Sequence, residues 1–169
     1  ISISNFHVDH NLRENSKIEA LDLKRKLRSF GIKIKILKWK GIKPNNNIQA
    51  IARNKRYELI FSYIKPKKIK YLILGHTYDD VIENFFIRMI RGSGLNGMIS
   101  FNNVFRSLGS VVVVRPLINI NKKDLIYLSK KVFNYYIEDP SNFDIKFLRV
   151  RVRKMLQLLE KEGLNKKKL

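Results

Sequence analysis

The sequence predicts an α/β protein of the doubly wound kind, a mainly parallel, Rossmann-type sheet with helices on both faces. Three observations carry that expectation. Short apolar or alternating runs of strand length recur along the chain (IKIKILKW, YLILG, VVVVRP), and segments of helical periodicity separate them. YLILG and VVVVRP are apolar on both sides, as strands buried in a parallel sheet are. With 169 residues and 44% apolar content, the chain has enough material for one core of ordinary size.

The elements follow in order. ISISNFHV alternates and then reaches the polar cluster His7, Asp9 and His10, so it reads as a strand ending at a loop. Ser16 and Glu19 have capping-box spacing ahead of Ala20, Leu23, Leu27 and Phe30, and Gly31 is placed to end that helix. IKIKILKW puts Ile32, Ile34 and Ile36 on one face of a strand, and GIKPNNN is a loop. Asn47 is placed to cap a helix that must stop near Pro66. After the strand YLILG, GHTYDDVIENFFIRMI reads as a helix that the glycines at 92, 94 and 97 close. VVVVRP is another strand and NKKDLIYLSKKVF a capped helix, followed by a short YYI segment. The loop EDPSNFD leads to a last helix with Leu148, Val152, Met155, Leu156 and Leu159 on one face.

Thirty-five lysines and arginines against fourteen acids leave a net charge of +21, which favours a polyanionic partner, RNA or DNA. Lys, Ile and Asn are abundant together, as biased base composition also produces, so charge alone locates no site. Cysteine is absent, which excludes disulfides, thiolate zinc sites and cysteine nucleophiles. No stretch approaches the roughly 18 apolar residues of a membrane span, and no export leader is visible, so the expected location is cytoplasmic. The first residue is Ile1, which suggests a fragment.

In open α/β sheets ligands sit outside the carboxyl ends of the strands, where all three histidines are expected. A zinc site from Asp9, His10 and His76 has suitable ligand types without a recognised spacing, so a nucleotide-lining role ranks above it. On the helix after His76, Asp80 and Glu83 share an edge with that histidine, and Ile82, Phe85, Phe86, Met89 and Ile90 form the opposite stripe. The helix dipole by itself accounts for acids in a first turn. At the ligand edge of a sheet the same acids can bind Mg2+ or hold and deprotonate an amine. Arg53 and Arg56 stand three apart and suit phosphate, although a surface pair on a basic helix has the same spacing. RGSGLNG is either a phosphate cradle or a turn, and it is no Walker A motif. In the last helix Arg149 and Arg153 share a face that Arg151 does not.

Taken together, HVDHNLRENS, NIQAIARNKRY, LGHTYDDVIEN, RMIRGSGLNGM, RPL and DPSNFDIKFLRVRVR, in this order, resemble the tRNA(Ile)-lysidine synthetase family of the N-type ATP pyrophosphatase superfamily. The resemblance implies a two-step ligation. ATP adenylates the C2 oxygen of the wobble cytidine in the CAU anticodon of a minor tRNA(Ile), and the ε-amine of L-lysine then displaces AMP. It assigns His7, Asp9, His10, Arg56 and His76 to the ATP pocket, and Asp80, Glu83 and Arg149 to catalysis. Asp79 and Asp80 would be Mg2+ ligands, and Arg53, Arg91, Arg151 and Arg153 would contact the RNA substrate.

Two departures shape the remaining expectations. The superfamily's SGGxDS phosphate loop does not occur in this sequence, and Val150 stands where the family usually has asparagine. The chain is therefore read as a partial catalytic domain over residues 1–140 and a linker with a basic helix over 141–169, directed toward absent C-terminal tRNA-reading domains. A separate chain supplying the phosphate loop, or a homodimer, is the protein partner this reading allows. The alternative is a non-catalytic basic remnant that binds RNA or a partner chain, and a thiolating relative of the superfamily is a third reading, which the absence of cysteine disfavours.

Overall fold

A computed structural model of the chain describes residues 3–12, 14–42, 44, 48–94, 106–108 and 111–165. They gather into two compact units, residues 1–69 and 70–169.

Unit one contains β1 (Asn5–Asp9), α1 (Ser16–Ser29), β2 (Ile34–Lys38) and α2 (Ile48–Ile64). β1 and β2 pair in parallel, from Asn5 opposite Ile34 to Asp9 opposite Lys38, with α1 as the connection. The alternation in β2 works as expected, because Ile34 and Ile36 are half-buried around an exposed Lys35. Ala20, Ala52, Ile60 and Ile64 are buried, and the Phe6 ring meets Tyr63 edge-on with centroids 5.9 Å apart. α2 stops at Ile64, and Pro66 lies in the tight turn Lys65–Lys67 that follows.

Two expectations in this unit need correction. β1 starts only at Asn5, with Ile3 exposed, and runs on to Asp9, so the strand is shorter at its start than ISISNFHV and its end takes in Asp9. The Ser16 capping box does not form. α1 begins at Ser16 itself, and Asn15 takes the N-cap position with helical dihedrals (φ −79°, ψ −8°) instead of the extended backbone from which a cap side chain reaches the first turn. Asn47 and its cap lie outside the described residues.

Unit two contains β3 (Tyr71–Ile73), α3 (Tyr78–Ile90), β4 (Arg106–Leu108), β5 (Val111–Val114), α4 (Lys122–Phe133) and α5 (Leu148–Lys161). The strand order is β3-β5-β4. β3 runs parallel to β5, with Leu72 opposite Val113, and the unforeseen β4 runs antiparallel to it. Both units thus hold a parallel strand pair with helical connections, and the α/β expectation stands. α3 packs on α5 through Ile82, Phe86, Val152 and Leu156, the stripe that the spacing of the last helix indicated. Met89 and Ile90, expected on the buried stripe of α3, are 45% and 50% exposed because they fall in its last turn, beyond that packing patch. Gly92, at φ +70°, turns the chain just past α3, whereas Gly97 lies outside the described residues.

Candidate active site

In unit two the site is assembled at the first turns of α3 and α5. Thr77 caps α3 with extended backbone, and Asp80 Oδ2 accepts hydrogen bonds from the Thr77 backbone N–H at 2.8 Å and from its hydroxyl at 3.0 Å. Asp80 is the third residue of the helix, so its carboxylate closes a capping box and also meets the positive end of the dipole. Its neighbour Asp79 works at longer range. Asp79 Oδ2 accepts from the backbone N–H of Lys122 at 2.6 Å, which places a carboxylate on the first N–H of α4.

Glu83 sits one turn further and is only 3% exposed. Its Oε1 accepts from Arg153 Nε at 2.5 Å and its Oε2 from Arg153 Nη2 at 3.2 Å, a bidentate pair. Arg149 Nε lies 3.2 Å from Oε2 of the same carboxylate, and Arg149 Nη1 lies 4.0 Å from Asp80 Oδ1. Arg153 Nη1 donates to Asn142 Oδ1 at 3.0 Å. Burial opposes the Arg153 charge, yet its bond to Glu83 and the negative charges of Glu83, Asp80 and Asp79 outweigh this, so its pKa is raised further above the ordinary arginine value. Two acids and two guanidiniums thereby neutralise one another where an unpaired charge would be costly.

A cavity of about 320 Å³ opens beside this cluster. Asp79, Asp80, Glu83 and Arg153 line its charged side, and Leu125, Ile126 and Tyr136 supply apolar surface. Helical spacing aligns Asp80 with Glu83 and Arg149 with Arg153, and the packing of α3 on α5 brings the two pairs together, with Asp79 lining the same cavity. His76 is half-buried between β3 and α3. Arg151 does something else: its Nη1 donates to the carbonyls of Ile145 and Lys146 at 2.8 and 2.9 Å and so clamps the preceding loop. Arg91 is the exposed residue that ends α3. Among the described residues no group of three or more histidines and carboxylates is gathered as for a metal.

Unit one brings together a second set. Asp9 is 3% exposed, and its Oδ1 accepts from the Asn11 N–H at 2.8 Å, supporting the positive φ of Asn11. Arg56 points Nε and Nη2 at His10 Nε2, at 3.3 and 3.2 Å, and the His10 ring meets Trp39 edge-on. Burial lowers the His7 pKa, and Arg56 lowers it further, against opposing contributions from Asp9 and Glu19. Arg53 parts from Arg56: its guanidinium lies over the Tyr57 ring, 5.7 Å from the centroid.

Three participants escaped the sequence reading: Thr77, Asn142 and the Lys122 N–H. Asn142 stood in the quoted DPSN motif, but nothing in a turn motif says which distant side chain it will meet.

Residues 1–159 match the family profile described as a PP-loop domain. Among curated relatives, the chain is 41% identical over 152 residues to a tRNA(Ile)-lysidine synthase of Orientia tsutsugamushi (strain Boryong), covering 89% of this chain and 34% of that protein. It is 36% identical over 162 residues to the enzyme of the same name from Rhodopseudomonas palustris (strain ATCC BAA-98 / CGA009), covering 96% of this chain and 46% of that protein. The chain thus spans between a third and a half of the length of these relatives. Among solved structures it resembles a U34-tRNA thiolase from Methanococcus maripaludis, with a TM-score of 0.75 over 99% of this chain and 60% of that one; at 20% identity this is a likeness of fold.

Proposed function

Because the chain belongs to the PP-loop domain family, we propose that it serves ATP-dependent tRNA modification, joining L-lysine to C2 of the wobble cytidine in the CAU anticodon of a minor tRNA(Ile). The observation that carries this reading is the cavity at the start of α3, where carboxylates, a guanidinium and apolar surface meet within about 320 Å³. A free amino acid with a long aliphatic stem and charge at both ends calls for those three features. The names of the relatives support the same reading.

In the first step the C2 oxygen attacks the α-phosphorus of ATP and the bond to pyrophosphate breaks. In the second, the lysine ε-amine attacks C2, AMP leaves with the oxygen, and the amine gives up a proton. Glu83 has both oxygens engaged by arginines, so it holds Arg149 and Arg153 in place, while Asp80 Oδ1 is the oxygen we assign to the incoming amine. Arg153 faces the cavity with its charge secured, and is suited to the lysine carboxylate. His7, Asp9, His10 and Arg56 are assigned to the nucleotide. Mg2+ takes one or two carboxylates beside substrate phosphates; with both oxygens of Asp80 committed, Asp79 is the carboxylate that would hold it, and the ion would offset charge on the leaving pyrophosphate.

The test is AMP release by the chain reconstituted with an SGGxDS-bearing segment from a relative. Release should require both lysine and a CAU-anticodon transcript, and Asp80→Asn should abolish lysine incorporation while leaving RNA binding intact. Release that ignores lysine would sink the ligation. RNA binding without any nucleotide turnover would favour the non-catalytic reading.

A further inference from the structure

We propose that Phe143 is a stacking platform for an unpaired RNA base presented beside the cavity of unit two. This rests on the tRNA-modifying reading above and adds the contact that sets the position of the RNA. Phe143 is 64% exposed, so its ring face is open to a ligand. The turn is fixed on every side. Asp139 Oδ1 accepts from the Ser141 N–H at 2.9 Å, the Phe143 N–H donates to the Pro140 carbonyl at 3.1 Å, and Asp144 Oδ1 accepts from the Lys146 N–H at 2.9 Å. Arg151 clamps the carbonyls of Ile145 and Lys146 from the helix below. The ring is therefore held out to solvent by a pre-organised loop, so binding on it carries little ordering cost.

Charge selects the occupant. Between residues 139 and 159 stand Lys146, Arg149, Arg151, Arg153 and Lys154 against Asp139 and Asp144; with Arg149 and Arg153 paired to Glu83 and Arg151 on loop carbonyls, Lys146 and Lys154 are the cations offered to a backbone. An exposed aromatic among cations is the composition that holds single-stranded nucleic acid, the ring taking a base face and the cations the backbone. The place is also right. Asn142, the residue before Phe143, accepts from Arg153, which holds Glu83 in the cavity wall. A base on Phe143 would thus be one residue removed from the network that we assign to lysine.

Binding of a CAU anticodon stem-loop to the chain, followed by fluorescence anisotropy, tests this. Phe143→Ala should weaken binding about tenfold, Phe143→Trp should retain it, and Phe143→Leu should behave like the alanine variant because it keeps apolar bulk without a π-face. The slope of affinity against salt should be the same in all three, since no charge is altered. Unchanged affinity in Phe143→Ala, or full affinity in Phe143→Leu, would overturn the stacking role while leaving the functional reading in place. If the unaltered chain fails to bind the stem-loop, both fall.

Discussion

Glu83 is the residue on which the cluster of unit two turns. It is buried, and each of its oxygens accepts from a guanidinium whose own side chain is partly exposed, 27% for Arg153 and 36% for Arg149. Removing the carboxylate leaves two cations facing each other without their common counter-charge. Glu83→Gln should therefore cost about 3 kcal/mol in urea unfolding, the low end for a broken buried pair because the arginines can still reach water. Adding Arg153→Met to that variant should recover part of the loss, and strictly additive losses would show that the pair is not coupled. His7 supplies a second prediction, in unit one. Its pKa is lowered in the fold, mainly by burial, so the unfolded chain binds the extra proton more readily. Stability should then be intact above about pH 6.5, the ordinary histidine value, and fall as pH drops below it toward the folded pKa. His7→Gln should flatten that part of the pH dependence of the melting temperature; an unchanged profile would assign it to other groups. The pairing of Arg149 with Arg153 was legible, since residues four apart share a helix face. The burial of Glu83 was not, because its partner lies 70 positions away and only packing of α3 on α5 brings them together.

At the scale of elements, the acids of α3 serve the ends of helices as well as the site. Asp80 closes the cap of α3 and Asp79 the first N–H of α4, so both carboxylates are oriented before any ligand arrives. Thr77→Ala should cost about 1 kcal/mol, the usual value of an N-cap. Asp79→Ala should lose a similar amount, with faster hydrogen exchange at Lys122 as the local sign; unaltered exchange there would deny Asp79 its role on α4. Strands and helices with clear periodicity, such as β2 and α5, were legible, as was β5 from its unbroken apolar run. β4 was not, as three residues of RSL carry no period, and its pairing is decided by the neighbouring β5. The Ser16 box failed for a related reason: the motif states which side chains can reach a cap, and the backbone at Asn15 decides whether they do.

For the whole molecule, composition suggested one core, whereas the contacts gather into two compact units, a division on which apolar totals are silent. Net charge is informative at this scale, and its meaning can be tested. A charge of +21 favours a polyanionic partner through counterion release, an attraction that weakens as salt rises. If about six phosphates are neutralised, affinity for any RNA stem-loop should fall roughly a thousandfold between 50 and 200 mM salt. Lysines spread by base composition would attract RNA in this way without preferring a sequence. A built site adds stacking and base contacts that release no counterions, and these should persist. The ratio of affinities for the CAU stem-loop and for one of equal length with an altered loop should therefore stay constant while both affinities fall. A ratio near one at every salt concentration would mean that the charge is compositional and that the cavity of unit two does not read the anticodon.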